Sequence, residues 1–285
     1  MGDEDSCEEH VTFESSDGVT LSGICRTVDT KPKAWIILAH GIMVHKDYSG
    51  FYPALAIDLA TRGFASLRFD FRGHGETGGK TERMTVAGEV QDLAAAVRFL
   101  RGRRAPQITI VATSLGAGVA VLYTARARKP PSALVLLSPV LDFRRTFLKP
   151  ETSWGKKLFT PSALTMARVS GKLDLGFFAM GIELLSEFGA LRPAEVLRGL
   201  TIPVLMVHSD RDPIAPFRAT YDVAKSAPGV KFVRIRGPGH YFEGSRDRVF
   251  QDVVDWLEDA LAAEHSQRSL PKGGSAAKHG QPDPK

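Results

Sequence analysis

Six short, continuous apolar runs recur along this chain, at Ala34–Ala39, Ala65–Phe69, Ile108–Ala112, Ala133–Leu137, Pro203–His208 and Lys231–Arg236. Runs without apolar/polar alternation belong to strands covered on both faces, which is the condition of a parallel sheet packed between helices. Helical stretches separate them. In Met84–Leu100, residues Val86, Val90, Leu93, Val97 and Leu100 fall 4, 3, 4 and 3 apart, one stripe of a helix. Phe250, Val253, Val254, Leu257 and Leu261 repeat the pattern after Ser245, which predicts an N-cap there. Val11–Glu14 and Val19–Arg26 flank Asp17-Gly18 and predict an opening hairpin. The expected fold class is α/β: a mainly parallel sheet of about eight strands with helices on both faces.

The alternation breaks at 143–192, where about fifty residues replace a single helix. This stretch is rich in Phe147, Leu148, Trp154, Phe159, Leu164, Met166, Leu175, Phe177, Phe178, Met180, Leu184 and Phe188. It reads either as a small, mainly helical cap inserted after the sixth strand or as extra core packing. The expected organisation is then a core of 1–142 and 193–264, the cap 143–192, and a Ser/Gly/Lys/Pro-rich disordered tail 265–285.

Composition excludes several classes. The formal charge of +5 divides into −5 from Asp3, Glu4, Asp5, Glu8 and Glu9, +3 from the tail, and +7 spread over the body. No segment clusters Lys and Arg with interleaved aromatics, so no nucleic-acid partner is expected. No apolar run approaches the ~20 residues of a membrane span. The acidic start is not a secretory signal; Met1 to Ser6 fit a loose myristoylation pattern but read better as a solvated start. Two cysteines, Cys7 and Cys25, build neither a disulfide framework nor a zinc site, and a cytoplasmic location is expected.

Chemistry concentrates at strand ends. Ile108–Ala112 runs into Thr113-Ser114-Leu115-Gly116, followed by a helical run opening with small residues. This is a strand, sharp turn and helix with serine at the apex, the G-x-S-x-G arrangement with Ala112 in place of the first glycine. The NH of Leu115 would face a developing oxyanion. Alone, the serine reads more readily as an ordinary N-cap of a buried helix. His40-Gly41-Ile42 ends an upstream strand and offers the NH of Ile42 as a second donor. His208-Ser209-Asp210-Arg211-Asp212-Pro213 ends a later strand with two acids, and Gly237-Pro238-Gly239-His240 follows the last. The order Ser, Asp, His at successive strand ends distinguishes this set from isolated motifs.

With these residues, and with Ser66 through Gly75 (Ser-Leu-Arg-Phe-Asp-Phe-Arg-Gly-His-Gly) and Met84-Thr85-Val86, the chain resembles α/β-hydrolases of the serine-aminopeptidase-like group, and within it the cinnamoyl or feruloyl esterase-like proteins. The resemblance covers residues 10 to 262 except most of the cap. It implies an α/β-hydrolase fold, nucleophile Ser114, base His240, acid Asp212 by the spacing His-Gly-x-x-Asp, and backbone NH groups of Ile42 and Leu115 as oxyanion hole. Asp210 then caps a loop, and Asp142 is a remote third candidate. Ser209 departs from the glycine common in the family. Ala112-Thr113-Ser114-Leu115 and Leu141 to Thr146 also resemble acyl-transferring thioesterases of bacterial luminescence systems.

The implied function is a serine hydrolase of carboxylic ester or thioester bonds, acting on a small-molecule substrate with an apolar acyl or aryl group or on a carrier-bound acyl group. The alternatives are an acyltransferase using the same triad, and a non-catalytic interaction protein that kept the fold. No cofactor or metal is called for. Gly73-His74-Gly75-Glu76-Thr77-Gly78 matches G-x-G-x-x-G, but the helical stripe begins only near Met84, so dinucleotide binding is not expected. Asp70 and Arg72 are expected to tie that loop down. His40 is expected to pack under the oxyanion loop, and His45, His74, Lys46 and Asp47 to sit in solvated loops.

Overall fold

A computed structural model describes residues 6–269. The hairpin β1 (Ser6–Glu14) and β2 (Thr20–Val28) is followed by β3 (Trp35–Ala39), α1 (Phe51–Thr61), β4 (Ala65–Phe69), α2 (Val86–Gly102), β5 (Ile108–Thr113), α3 (Ser114–Arg126) and β6 (Leu134–Leu137). After the inserted segment come α7 (Pro193–Arg198), β9 (Val204–Arg211), α8 (Phe217–Ser226), β10 (Val230–Pro238) and α9 (Arg246–Ser269). Eight strands form one sheet in the order β1-β2-β4-β3-β5-β6-β9-β10. β1, β2 and β4 pair antiparallel, and every pairing from β4 through β10 is parallel. This is the expected α/β fold.

Alternate residues of each central strand serve opposite layers. Trp35, Ile37 and Ala39 pack with α2 and α3, while Ile36 and Leu38 pack with α1 and α9. Double coverage leaves few positions for polar side chains, which is why the runs are mostly apolar. The α2 stripe buries Val86, Leu93, Val97 and Leu100, and Thr85 caps the helix by accepting from the NH of Gly88 at 2.9 Å.

The inserted segment holds a π-helical turn (Arg144–Leu148), α4 (Ser153–Leu158), α5 (Pro161–Ser170), α6 (Ile182–Ala190) and an unforeseen hairpin, β7 (Lys172–Asp174) with β8 (Ala179–Gly181). Phe143, Phe147, Phe159 and Phe188 are buried in the same apolar cluster as the sheet, with Phe147 and Phe188 stacked at 4.3 Å. Met166 and Phe177, by contrast, are 62% and 70% exposed, so not all of its large apolar side chains build core. The carboxylate of Glu187 on α6 accepts the NH groups of Val86 and Ala87, clamping the segment onto the start of α2. α9 continues to Ser269, past the boundary expected at 264; residues 270–285 of the expected tail, and 1–5 of the solvated start, lie outside the described residues.

Candidate active site

β5 passes into α3 without a loop, and Ser114 takes φ +52°, a left-handed conformation that side-chain-bearing residues seldom adopt. The turn lifts the hydroxyl off the sheet at the N-terminus of α3, where first-turn NH groups, that of Leu115 included, lack helical acceptors. The Ser114 carbonyl accepts from the NH of Val140 at 2.9 Å, tying the turn to the end of β6. Two glycines let the upstream loop close on it. A Cβ at Gly41 would lie 2.7 Å from Ser114 Cβ, and one at Gly116 would lie 2.2 Å from the His40 carbonyl oxygen. The backbone of His40-Gly41-Ile42 therefore packs directly against the serine.

That loop rests on buried polar groups. His40 accepts from the Phe71 NH at its Nε2 (3.0 Å) and meets the Gly41 carbonyl at its Nδ1 (2.7 Å), as expected of a structural residue. Burial and the neighbouring His74 hold its pKa well below the ordinary value, so the ring is neutral. His74 is buried, not solvated: its Nε2 accepts from the Met43 NH at 3.3 Å, its Nδ1 meets the Arg72 carbonyl at 3.0 Å, and burial lowers its pKa. Lys46 is buried as well. Its Nζ donates to Asp70 (2.9 Å) and Glu76 (2.6 Å), and its NH donates to Asp70 (2.7 Å). Burial works against the Lys46 ammonium, but Glu76 and Asp70 outweigh it and raise its pKa. The reason Lys46 is buried is Asp70: a fully buried carboxylate needs a cation and donors, and the loop supplies them; His74 is buried because its two ring nitrogens bond backbone groups of the two loops it joins. His45 is exposed and Asp47 only partly buried, while Arg72 ties down the following loop through Asp92 and Asp17.

On the other side of the rim, Asp212 follows β9 and His240 follows β10. Asp212 Oδ2 receives His240 Nδ1 at 2.7 Å and His208 Nε2 at 3.0 Å, and Oδ1 receives the NH groups of Ile214 (2.7 Å) and Ala215 (3.0 Å). Burial pushes the Asp212 carboxyl up, yet His240 and His208 pull harder and hold it far below the carboxylate range. Asp210 takes the other role: it accepts from the Gly237 NH (3.0 Å) and from Arg234, bracing the loop that carries His240. Asp142 accepts from the Arg145 NH and caps its own turn.

Ser114 and His240 are 4% and 5% exposed. Among the described residues no hydrogen bond joins the Ser114 hydroxyl to His240. Their chain neighbours do converge, on a residue that sequence reasoning passed over. The Tyr52 hydroxyl bonds Thr113 Oγ1 at 2.5 Å, and the Tyr52 ring and Tyr241 both pack against Phe51. Burial raises the Tyr52 phenol pKa; Thr113, the Gly41 backbone and Tyr241 act against it. Tyr52 thus bonds the elbow, and its neighbour Phe51 packs on Tyr241 of the histidine loop. In the sequence His208 served only to mark Asp212, four residues on; its own bond to that carboxylate was not foreseen. Among the described residues no cluster of three or more His, Cys, Asp or Glu could hold a metal, and no helix is long and apolar enough to cross a membrane.

Comparison with known proteins identifies the family and relatives of the same fold. The family described as serine aminopeptidase, S33, matches residues 30–177, a stretch that includes Gly41 and Ser114 and ends before Asp212 and His240. A monoacylglycerol lipase of Mycolicibacterium smegmatis is 27% identical over 89% of this chain and 98% of its own. Among solved structures, Est1E of Butyrivibrio proteoclasticus with ferulic acid bound superposes with a TM-score of 0.76 at 24% identity, covering 88% of this chain and all of that one. The Pyrococcus furiosus esterase Pf2001 gives 0.68 at 20% identity, with 90% and 93% covered.

Proposed function

Because this chain belongs to the serine aminopeptidase S33 family of α/β-hydrolases, and is a serine hydrolase, we propose that it cleaves carboxylic esters of an apolar acyl or aryl group. Ser114 is the nucleophile, His240 the general base and Asp212 the acid that orients it. The observation carrying this reading is the left-handed Ser114, pressed against Gly41 at the head of α3. Such strain persists where surrounding contacts enforce it, and here it holds the serine at the open N-terminus of α3.

With Nδ1–H given to Asp212, His240 keeps the Nε2 lone pair for the serine proton. The last link, from the Ser114 hydroxyl to this lone pair, forms when substrate binds, since catalytic hydrogen bonds commonly tighten in the complex. Attack on the carbonyl develops an oxyanion facing the NH groups of Ile42 and Leu115. Collapse expels the alcohol, protonated by His240, and water activated by the same imidazole releases the acid from Ser114.

Ester rather than peptide cleavage is supported by the inserted segment. Its ionisable side chains are mostly basic, among them Arg144, Lys149, Lys156, Lys157 and Arg168, and offer no acidic cluster for a free amino terminus. Segment 143–192 serves as the cap. Phe178 of its hairpin packs 5.4 Å from the His74 ring beneath the oxyanion loop, an apolar neighbour for an acyl or aryl group. The monoacylglycerol lipase and the ferulic-acid-bound Est1E among the similar proteins point the same way.

A series of p-nitrophenyl esters and acyl thioesters of rising chain length tests this, run with wild type, with Ser114→Ala, and with added alcohols. Ester hydrolysis should dominate and fall on the order of 10⁴-fold or more in Ser114→Ala. Activity retained by that variant, or none on any ester, contradicts the proposal. Transfer to alcohol outrunning hydrolysis would make the protein an acyltransferase.

A further inference from the structure

Asp212 collects more donors than the proposed chemistry needs. A carboxylate offers about four lone-pair positions, and all are taken: two backbone NH groups on Oδ1, and two imidazoles on the single oxygen Oδ2. His208 lies on β9, fully buried, with its ring 5.6 Å from that of Phe217 on α8. Its Nδ1 is buried without a hydrogen-bond partner. That orphan fixes the tautomer. A proton on Nδ1 would have nothing to meet, and the Nε2 lone pair would then oppose the carboxylate oxygen; the one ring proton of neutral His208 belongs on Nε2.

The arrangement is costly where an apolar side chain would cost nothing. Phenylalanine or leucine at 208 would pack on Phe217 and leave no orphaned acceptor. What only a donor supplies is the second hydrogen bond to Oδ2. We propose that His208 is a positioning residue of the acid–base pair: its Nε2–H occupies one side of Asp212 Oδ2, fixes the carboxylate plane, and leaves the other side for His240. The proposal rests on the triad reading above.

Sharing has a chemical consequence. An oxygen that already accepts one N–H attracts the second less strongly, so His208 weakens the hydrogen bond between Asp212 and His240. The other charged groups near His208 do not compete for this oxygen. Arg234, its register partner on β10, is more than half exposed and paired with Asp210. Apart from Asp212 and His240, the group facing the ring is Phe217, which is uncharged.

The test is the pH profile of kcat/KM for ester hydrolysis, with rates normalised to sites titrated by a fluorophosphonate, in wild type, His208→Phe, His208→Gln and Ser114→Ala. In His208→Phe the carboxylate serves His240 alone, so the acid limb should move to higher pH. The less restrained carboxylate should lower kcat per titrated site roughly tenfold with little change in KM. In His208→Gln the amide reaches the position of Nε2 and should return both toward wild type. If His208→Phe does not fold, His208→Asn, whose amide is too short to reach Oδ2, takes its place. An unmoved acid limb with unchanged kcat per site overturns this inference alone, provided Ser114→Ala is inactive. So does failure of the glutamine variant to restore either quantity. Activity persisting in Ser114→Ala overturns the triad reading, and this inference with it.

Discussion

The serine side and the histidine side of the rim are built on opposite plans. Around Ser114 the proposed working donors are backbone NH groups, and the charged side chains, Lys46 and Asp70, serve as scaffolding beneath the loop that presents one of them. Around His240 the proposed working groups are the ionisable side chains themselves, and backbone NH groups from Ile214 and Ala215 are the scaffolding. Substitutions on the first side should therefore act through position and stability, and those on the second through charge.

Asp212→Asn breaks the second plan most severely. It keeps the shape but lets His240 adopt the wrong tautomer, so kcat should fall on the order of 10⁴-fold, read from ester turnover by folded protein. A fall of less than tenfold would place the acid elsewhere. The same residue predicts an acid limit to stability. Its folded pKa is depressed by His240 and His208, so its contribution is present above the unfolded value of about 3.9 and lost as pH falls through the folded one. The stability difference between wild type and Asp212→Asn should shrink on acidification below about pH 4.

Asp70→Asn tests the first plan. It leaves the Lys46 ammonium buried, with only the exposed Glu76 and the partly buried Asp47 as acid partners, and should cost about 3 kcal/mol in urea unfolding. A loss below about 1 kcal/mol would show the pair to be incidental. Gly41→Ala sharpens the comparison, because it touches no charge. Its methyl group would meet Ser114 at 2.7 Å. The loop must move, and kcat should drop about 100-fold, as when one oxyanion donor is misplaced, with the acid limb of the pH profile unchanged. A shifted limb would mean the two sides are not separable.

The smallest effect lies outside the rim. Glu89 on α2 is buried near Asp92 with Oε2 unpartnered, and burial holds its pKa well above the carboxylate value. The folded state keeps this proton after the unfolded chain has lost it, so stability falls as pH rises above about 4.3. Glu89→Gln should raise stability by about 1 kcal/mol near pH 7 and change little near pH 4. Equal effects at both pH values would contradict this.

What the sequence disclosed follows the same division. The central strands were legible because both faces are apolar, and the elbow because close backbone approach demands small residues at fixed spacing. Asp212 was separable from Asp210 by its distance from His208, though not the reason His208 is there. The burial of Lys46 was hidden because its partner Asp70 lies 24 residues away. α1 escaped notice because it is buried on much of its circumference and shows little polar contrast, and Tyr52 escaped with it. The hairpin Lys172–Asp174 and Ala179–Gly181 is too short to display a period of two. Residue type alone did not tell that Phe177 faces outward while Phe178 faces in.

The central claim is that a hydroxyl after β5, an imidazole after β10 and a carboxylate after β9 act as one unit. It is tested most directly by fluorophosphonate labelling of intact protein followed by peptide mapping. The account predicts a single adduct on Ser114, absent in Ser114→Ala and formed orders of magnitude more slowly in folded His240→Ala. An adduct on any other residue, or one that forms at the wild-type rate without His240, would contradict it.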